Sequence, residues 1–162
     1  GTSGGAGRGI RRGAVDSRPD TYKHIQQVQH LMGRMVRDLL GRAERHDQSK
    51  LISPEVEAYD ELTPRLAGLT YGSDEYRATL REMKPAIRHH YDANSHHPEH
   101  YPEGIRGMNL LDLVEMLTDW KAASLRHADG DFRKSLEINR DRFGIDDQLM
   151  SILLNTLPLL EG

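Results

Sequence analysis

Apolar residues recur at three- and four-residue steps over Ile25, Val28, Leu31, Met32, Met35, Val36, Leu39, Leu40 and Ala43. That period is one face of an α-helix, and Asp20 or Thr21 ahead of it predicts a start near Tyr22. Ser53-Pro54-Glu55 predicts a second helix through Val56, Tyr59 and Leu62, with proline in its first turn and an interruption at Thr63-Pro64. A turn over 69–73 leads to a helix over about 74–91, capped by Ser73 or Asp74 and kinked or restarted at Pro85. Residues 92–108 carry Pro98, Pro102, Gly104 and Gly107 and read as a loop. Asn109 then caps a helix with Leu110, Leu111, Leu113, Val114, Met116, Leu117 and Trp120. That helix is apolar over most of its surface, which predicts the most buried element. After a loop at Asp129-Gly130-Asp131, two last helices are expected over roughly 132–142 and 146–157. No segment alternates with period two and no repeat appears. The expectation is an all-α bundle of about six helices, one domain over 20–162.

Composition narrows the class. The 162 residues suffice for one domain with a core, and 22 basic against 25 acidic residues leave a formal net charge of −3. Such a balance gives no general drive toward nucleic acid or an anionic membrane, so neither is expected as a partner. No apolar run approaches a membrane span and no leader-like stretch opens the sequence, so a cytoplasmic location is expected. Residues 1–19, rich in Gly, Arg and Ser, read as a disordered tail that buries too little to offset its ordering entropy.

The candidate chemistry lies in the histidines. His46-Asp47 sits in Arg45-His46-Asp47-Gln48-Ser49-Lys50, His89-His90 follows, and then His96-His97-Pro98-Glu99-His100. The chain has no cysteine, so a thiolate site is excluded; imidazole and carboxylate suit Fe, Mn, Co, Ni or Zn. Asp119, between Leu117 and Trp120, is an ionised group on an apolar helix, which is costly unless paired or metal-bound. A metal ligand or an ion pair with Lys121 or Arg126 satisfies it. Lys50 is three residues beyond Asp47 and suits a phosphoryl oxygen as a point charge. Glu99 is open as ligand, orienting carboxylate or general base. Arg45 and Arg88 flank the set and suit the rest of an anionic substrate. Leu153, Leu154, Leu157, Leu159 and Leu160 form an apolar C-terminus that docks on the core or makes a homo-oligomer face.

The order His24, His46-Asp47, His89-His90, His96-His97, Asp119 resembles the HD-domain metal-dependent phosphohydrolase superfamily. His46 to Lys50 resembles the HD-x-G-K stretch of its cyclic-dinucleotide phosphodiesterase branch, with Ser49 in place of glycine. The histidine pairs lie closer together than in that branch. Residues 21–156 also resemble a small uncharacterised bacterial and phage family marked by HD-x-SKL, LTYGS, HHPEH, NLLDL-x-EML-x-DWKAA and EIN-x-x-RFGI motifs. The resemblance implies a helical fold and one or two divalent ions held by His24, His46, Asp47, His89, His90, His96, His97 and Asp119. It implies hydrolysis of a nucleotide or related phosphoester, with Lys50, Asp47 and Glu99 in catalytic roles and Lys50, Arg45 and Arg88 on the substrate. Two alternatives stand beside it: an HD-fold di-iron oxygenase, and a non-enzymatic metal-stabilised binding module. His24 and His46 are 22 residues apart, roughly 33 Å along a straight helix, so they share a metal only if the chain reverses, at Gly33 or Gly41.

Overall fold

The computed structural model describes residues 15–70, 73–126 and 131–161. Among them are six α-helices and no strand, so the fold is all-α as the periodicity predicts. The helices are α1 (Arg18–Arg45), α2 (Glu55–Ala67), α3 (Asp74–Ala93), α4 (Leu110–Ser124), α5 (Phe132–Phe143) and α6 (Asp147–Thr156). Single 3-10 turns cover Gln48–Leu51, Pro98–His100, Gly104–Gly107 and Leu157–Leu160. The expected tail over 1–19, the turn at Tyr71-Gly72 and the loop at Asp129-Gly130 fall wholly or partly outside the described residues. No helix of the described residues is long and apolar enough to cross a membrane.

The chain divides into two units between Val36 and Arg37. The first holds the N-terminal part of α1. No residue of α1 is buried, and the stripe of Ile25, Val28, Met32 and Met35 remains between 39% and 61% exposed. The period did identify the helix, but amphipathicity alone does not say that a face is covered. α1 starts at Arg18, where Ser17 accepts from the Thr21 amide and hydroxyl at 3.0 Å each.

In the second unit the cap signals hold. Ser73 accepts from the Tyr76 amide at 3.1 Å. Asn109 forms a capping box with Asp112, each side chain taking the other's backbone N–H. Pro64 and Pro85 interrupt nothing; α2 and α3 run through both. These two helices pack on each other with Leu62, Met83 and Ala86 buried between them. The principal core gathers Leu117 of α4, Phe132 and Leu136 of α5, Ile145, and Met150, Leu153 and Leu157 of the C-terminus. Trp120 stacks on Phe143 at 5.8 Å between ring centroids. The apolar C-terminus therefore docks on the core through Leu153 and Leu157, while Leu159 stays outside. α4 is less enclosed than its composition predicts: Met116 and Leu117 are buried, but Leu110 and Val114 face outward. Its N-terminus is fixed by the fully buried Asp112, which accepts from Arg42 at 2.8 Å, Ser95 at 2.8 Å and the Tyr101 hydroxyl at 2.7 Å. Gly107 is required there, because a Cβ would stand 2.8 Å from Cβ of Tyr101.

Candidate metal centre

The C-terminal end of α1, the end of α3, the loop after it and the middle of α4 bring their polar side chains into one cluster. His46 directly follows α1, and Asp47 turns the chain by taking the left-handed conformation, φ 56° and ψ 13°. Aspartate is among the few non-glycine residues that visit this region readily. The turn then brings Lys50 back, with Nζ 2.6 Å from Oδ2 of Asp47. His90 lies on α3, and His96 and His97 lie in the loop that Pro98 closes.

Three histidines are held by carboxylates behind them. Oε1 of Glu115 accepts from Nδ1 of His46 at 3.0 Å and lies 3.1 Å from Nδ1 of His96 as an ion-pair contact. Oε2 of Glu55, a side chain with no exposure, accepts from Nδ1 of His90 at 2.9 Å. An ionised carboxylate only accepts, so each Nδ1 carries the proton and each Nε2 is turned forward. The three Nε2 atoms meet Asp47: His90 lies 3.3 Å and His96 3.5 Å from Oδ1, and His46 lies 3.6 Å from Oδ2. Nε2 of His97 is 2.9 Å from Nε2 of His90. Asp119 closes the other side, 3.5 Å from His46 and 3.9 Å from His96.

The electrostatics follow from this crowding. Asp119 as a hydrogen-bond partner raises the His46 imidazole most; burial opposes it, Glu115 and Asp47 add to it, and the result is about 9. Burial would raise the Asp47 carboxyl, but His90, His96 and Lys50 outweigh it and hold the group far below the usual carboxylate range. Asp119 is likewise lowered, with His46 overcoming burial. Burial, reinforced by His96 and His90, pushes the His97 imidazole down to about 3.

This donor set fits a divalent cation. Oδ1 of Asp47 and Nε2 of His96 are buried and have no hydrogen-bond partner, which is costly unless something else satisfies them. Asp47, His90, His96 and His97 place one donor atom each within 4.8 Å of one another, and so do His46, Asp47 and Asp119. Donors around an ion with bonds of about 2.1 Å stand roughly 3.0–3.4 Å apart, close to the spacings seen here. Asp47 belongs to both groups and presents a different oxygen to each.

Other expected site residues lie elsewhere. α1 runs unbroken through Gly33 and Gly41, so the reversal that His24 needs to share a metal with His46 does not occur; His24 is outside the converging groups. His89 turns to Oε1 of Glu55 at 2.7 Å and is also outside them, because its neighbour His90 takes the inward direction on α3. Glu99 accepts from Arg142 at 2.7 Å, which ties the histidine loop to α5. Arg88 pairs with Asp92 on the outer surface of α3. Arg45 lines a polar groove with Asp38, Asn94 and Ser95, next to His96. Lys50 stands at the cluster as expected. Sequence reasoning missed Glu55, Glu115 and Arg42 as supports. Glu115 carried a usable signal, being one helical turn before Asp119. Glu55 carried none.

No curated protein and no solved structure matches this chain. One family model does, over residues 14–159, and its description is a family of unknown function, DUF5662. The match spans nearly the whole sequence and every residue of the cluster, and the chain therefore belongs to the DUF5662 family.

Proposed function

We propose that this protein is a metal-dependent phosphohydrolase, centred on His46, Asp47, His90, His96, His97 and Asp119. The observation that carries the reading is the pair of carboxylates, the partly buried Glu115 and the buried Glu55, which turn three Nε2 atoms toward Asp47. Building such a cluster without a cation leaves Oδ1 of Asp47 and Nε2 of His96 unsatisfied. A divalent ion there supplies Lewis acidity toward a phosphoryl oxygen and a water acidified to near neutral pH.

Lys50 favours phosphoryl transfer over a purely structural centre. Its ammonium sits at the edge of the cluster with the side chain 38% exposed, so it can leave Asp47 for an incoming phosphoryl oxygen. In the reaction a water oxygen forms the new P–O bond, the ester P–O bond breaks, and the alcohol leaves with the proton that the water lost. Asp47 and Asp119 are the carboxylates placed to take that proton in passing. The order of the clustered residues, His46-Asp47, His90, His96-His97 and Asp119, adds the resemblance to HD-domain phosphohydrolases.

The test is metal content by mass spectrometry on protein prepared without a histidine tag, wild type beside Asp47→Asn. A screen of nitrophenyl phosphates and nucleotides for phosphate release follows. The expected result is one or two equivalents of Fe, Mn, Co, Ni or Zn, reduced in the variant, with metal-dependent phosphate release. Metal with O₂ consumption and no phosphate release would replace the reading with an oxygenase. Protein that takes up no metal would leave a helical binding module.

A further inference from the structure

A groove of about 370 Å³ adjoins the cluster, with His46 and Asp119 among the residues that line it. One wall is Leu39 and Ala43 of α1, and the other is Val114, Thr118 and Ala122 of α4. Both rows follow four-residue steps, so each is a single helix face. Ala43 and Ala122 are the short side chains that leave the space. The polar groups along the walls are largely engaged, Nε of Arg42 being the exception, buried without a hydrogen-bond partner. The Thr118 hydroxyl donates to the Val114 carbonyl at 3.0 Å and the Glu115 carbonyl at 2.8 Å. Arg42 is the one arginine or lysine that lines the groove; its Nη1 donates to Asp112 at 2.8 Å and Glu115 at 3.1 Å, and its Nε faces Asp38 at 3.6 Å, so three carboxylates meet its charge.

Resting on the phosphohydrolase reading, we propose that this groove receives the organic part of the substrate, and that this part is an uncharged aromatic or aliphatic group next to the scissile phosphate. An anionic group is disfavoured, because the Arg42 charge is already met by Asp38, Asp112 and Glu115, and the carboxylates of Asp119 and Glu115 themselves line the groove. The volume suits a single ring or a short chain. A polyphosphate that places its second phosphate here is a poor candidate. The polar groove with Arg45, on the other side of His96 and Glu115, is the contrasting surface.

The test is calorimetric binding to the full chain loaded with manganese, using methylphosphonate, phenylphosphonate and methylenebisphosphonate. Phenylphosphonate is expected to bind at least about tenfold more tightly than methylphosphonate in the wild type. In Ala122→Phe, which fills the groove, that ratio should fall toward one. In Thr118→Lys the preference should move toward the bisphosphonate. Wild-type protein that binds both simple phosphonates equally, or the bisphosphonate best, overturns the groove assignment and leaves the phosphohydrolase reading standing. Binding of none of the three by metal-loaded protein overturns the phosphohydrolase reading and the groove assignment with it. A wild-type dimer that Ala122→Phe dissociates, with no phenyl preference, would assign the groove to a second copy of the chain instead.

Discussion

Oε1 of Glu115 accepts hydrogen bonds from Nδ1 of His46, 3.0 Å away, at the end of the first helix. The same oxygen lies 3.1 Å from Nδ1 of His96, and the other oxygen accepts from Arg42 at 3.1 Å. One side chain thus sets two imidazole tautomers and ties α1 to α4. Glu115→Gln, which can accept fewer of these bonds and offers a donor where an acceptor is needed, is expected to weaken metal binding by about 10–100-fold. Metal titration of the purified variant checks this. Wild-type affinity would mean that Glu115 orients nothing that matters to the ion.

Metal binding should compete with a proton on His46. That group is raised to about 9, chiefly by Asp119, and an ion needs its Nε2 lone pair. Apparent affinity is therefore expected to increase with pH and to level off above about pH 9, with about one proton released per ion bound at neutral pH. Calorimetry in buffers of different ionisation enthalpy counts that proton. A flat pH profile between 6 and 9 would remove His46 from the ligand set.

The metal-free protein should be most stable near the ordinary histidine pKa. His97 is lowered to about 3, mainly by burial, so between there and about 6.5 the unfolded chain binds the extra proton, and stability rises with pH. His46 is raised to about 9, so from about 6.5 upward the folded chain holds the extra proton, and stability falls. Asp47 and Asp119, both lowered, add to the loss in acid. Thermal unfolding of chelator-treated protein across pH 4–10 should show a maximum near 6.5. A maximum at either extreme would contradict the arrangement.

Lys50→Met keeps most of the side chain's bulk and removes its charge. Phosphoester turnover is expected to fall by about 10²–10³-fold, the usual loss for one group that stabilises developing charge. Bound metal should stay near the wild-type level, because Lys50 is not among the converging donors. Loss of metal in parallel with activity would make Lys50 a support for Asp47 rather than a contact to substrate.

The core should respond as a packed interior. Leu136 is wholly buried among α4, α5 and α6, and Leu136→Ala is expected to destabilise by about 2–5 kcal/mol. Leu159→Ala, at a side chain 83% exposed, should change stability by less than about 0.5 kcal/mol. Urea unfolding of both variants distinguishes them.

The sequence carried the helices well where local signals are strong. Ser73 and Asn109 marked helix starts because capping needs only neighbouring residues. The prolines misled, since Pro64 and Pro85 lie inside continuous helices whose packing outweighs the lost hydrogen bond. Of the eight expected ligands, six converge, and His24 and His89 do not. Which of His89 and His90 faces inward depends on the rotation of α3, and His24 depended on a reversal that α1 does not make. Glu55 reaches His90 across 35 positions of sequence, a pairing that only the packing of α2 on α3 creates.

The left-handed backbone at Asp47 restricts this position twice. Its chemistry asks for a carboxylate, and its backbone asks for a residue that tolerates positive φ. Glutamate meets the first demand, glycine the second, and asparagine alone gives a near-isosteric neutral side chain on an unstrained turn. Alanine here would remove the charge and strain the turn that returns Lys50 to the cluster, so its phenotype would mix two causes. The difference between asparagine and alanine at this one position therefore measures how much of the centre is held by backbone shape and how much by charge.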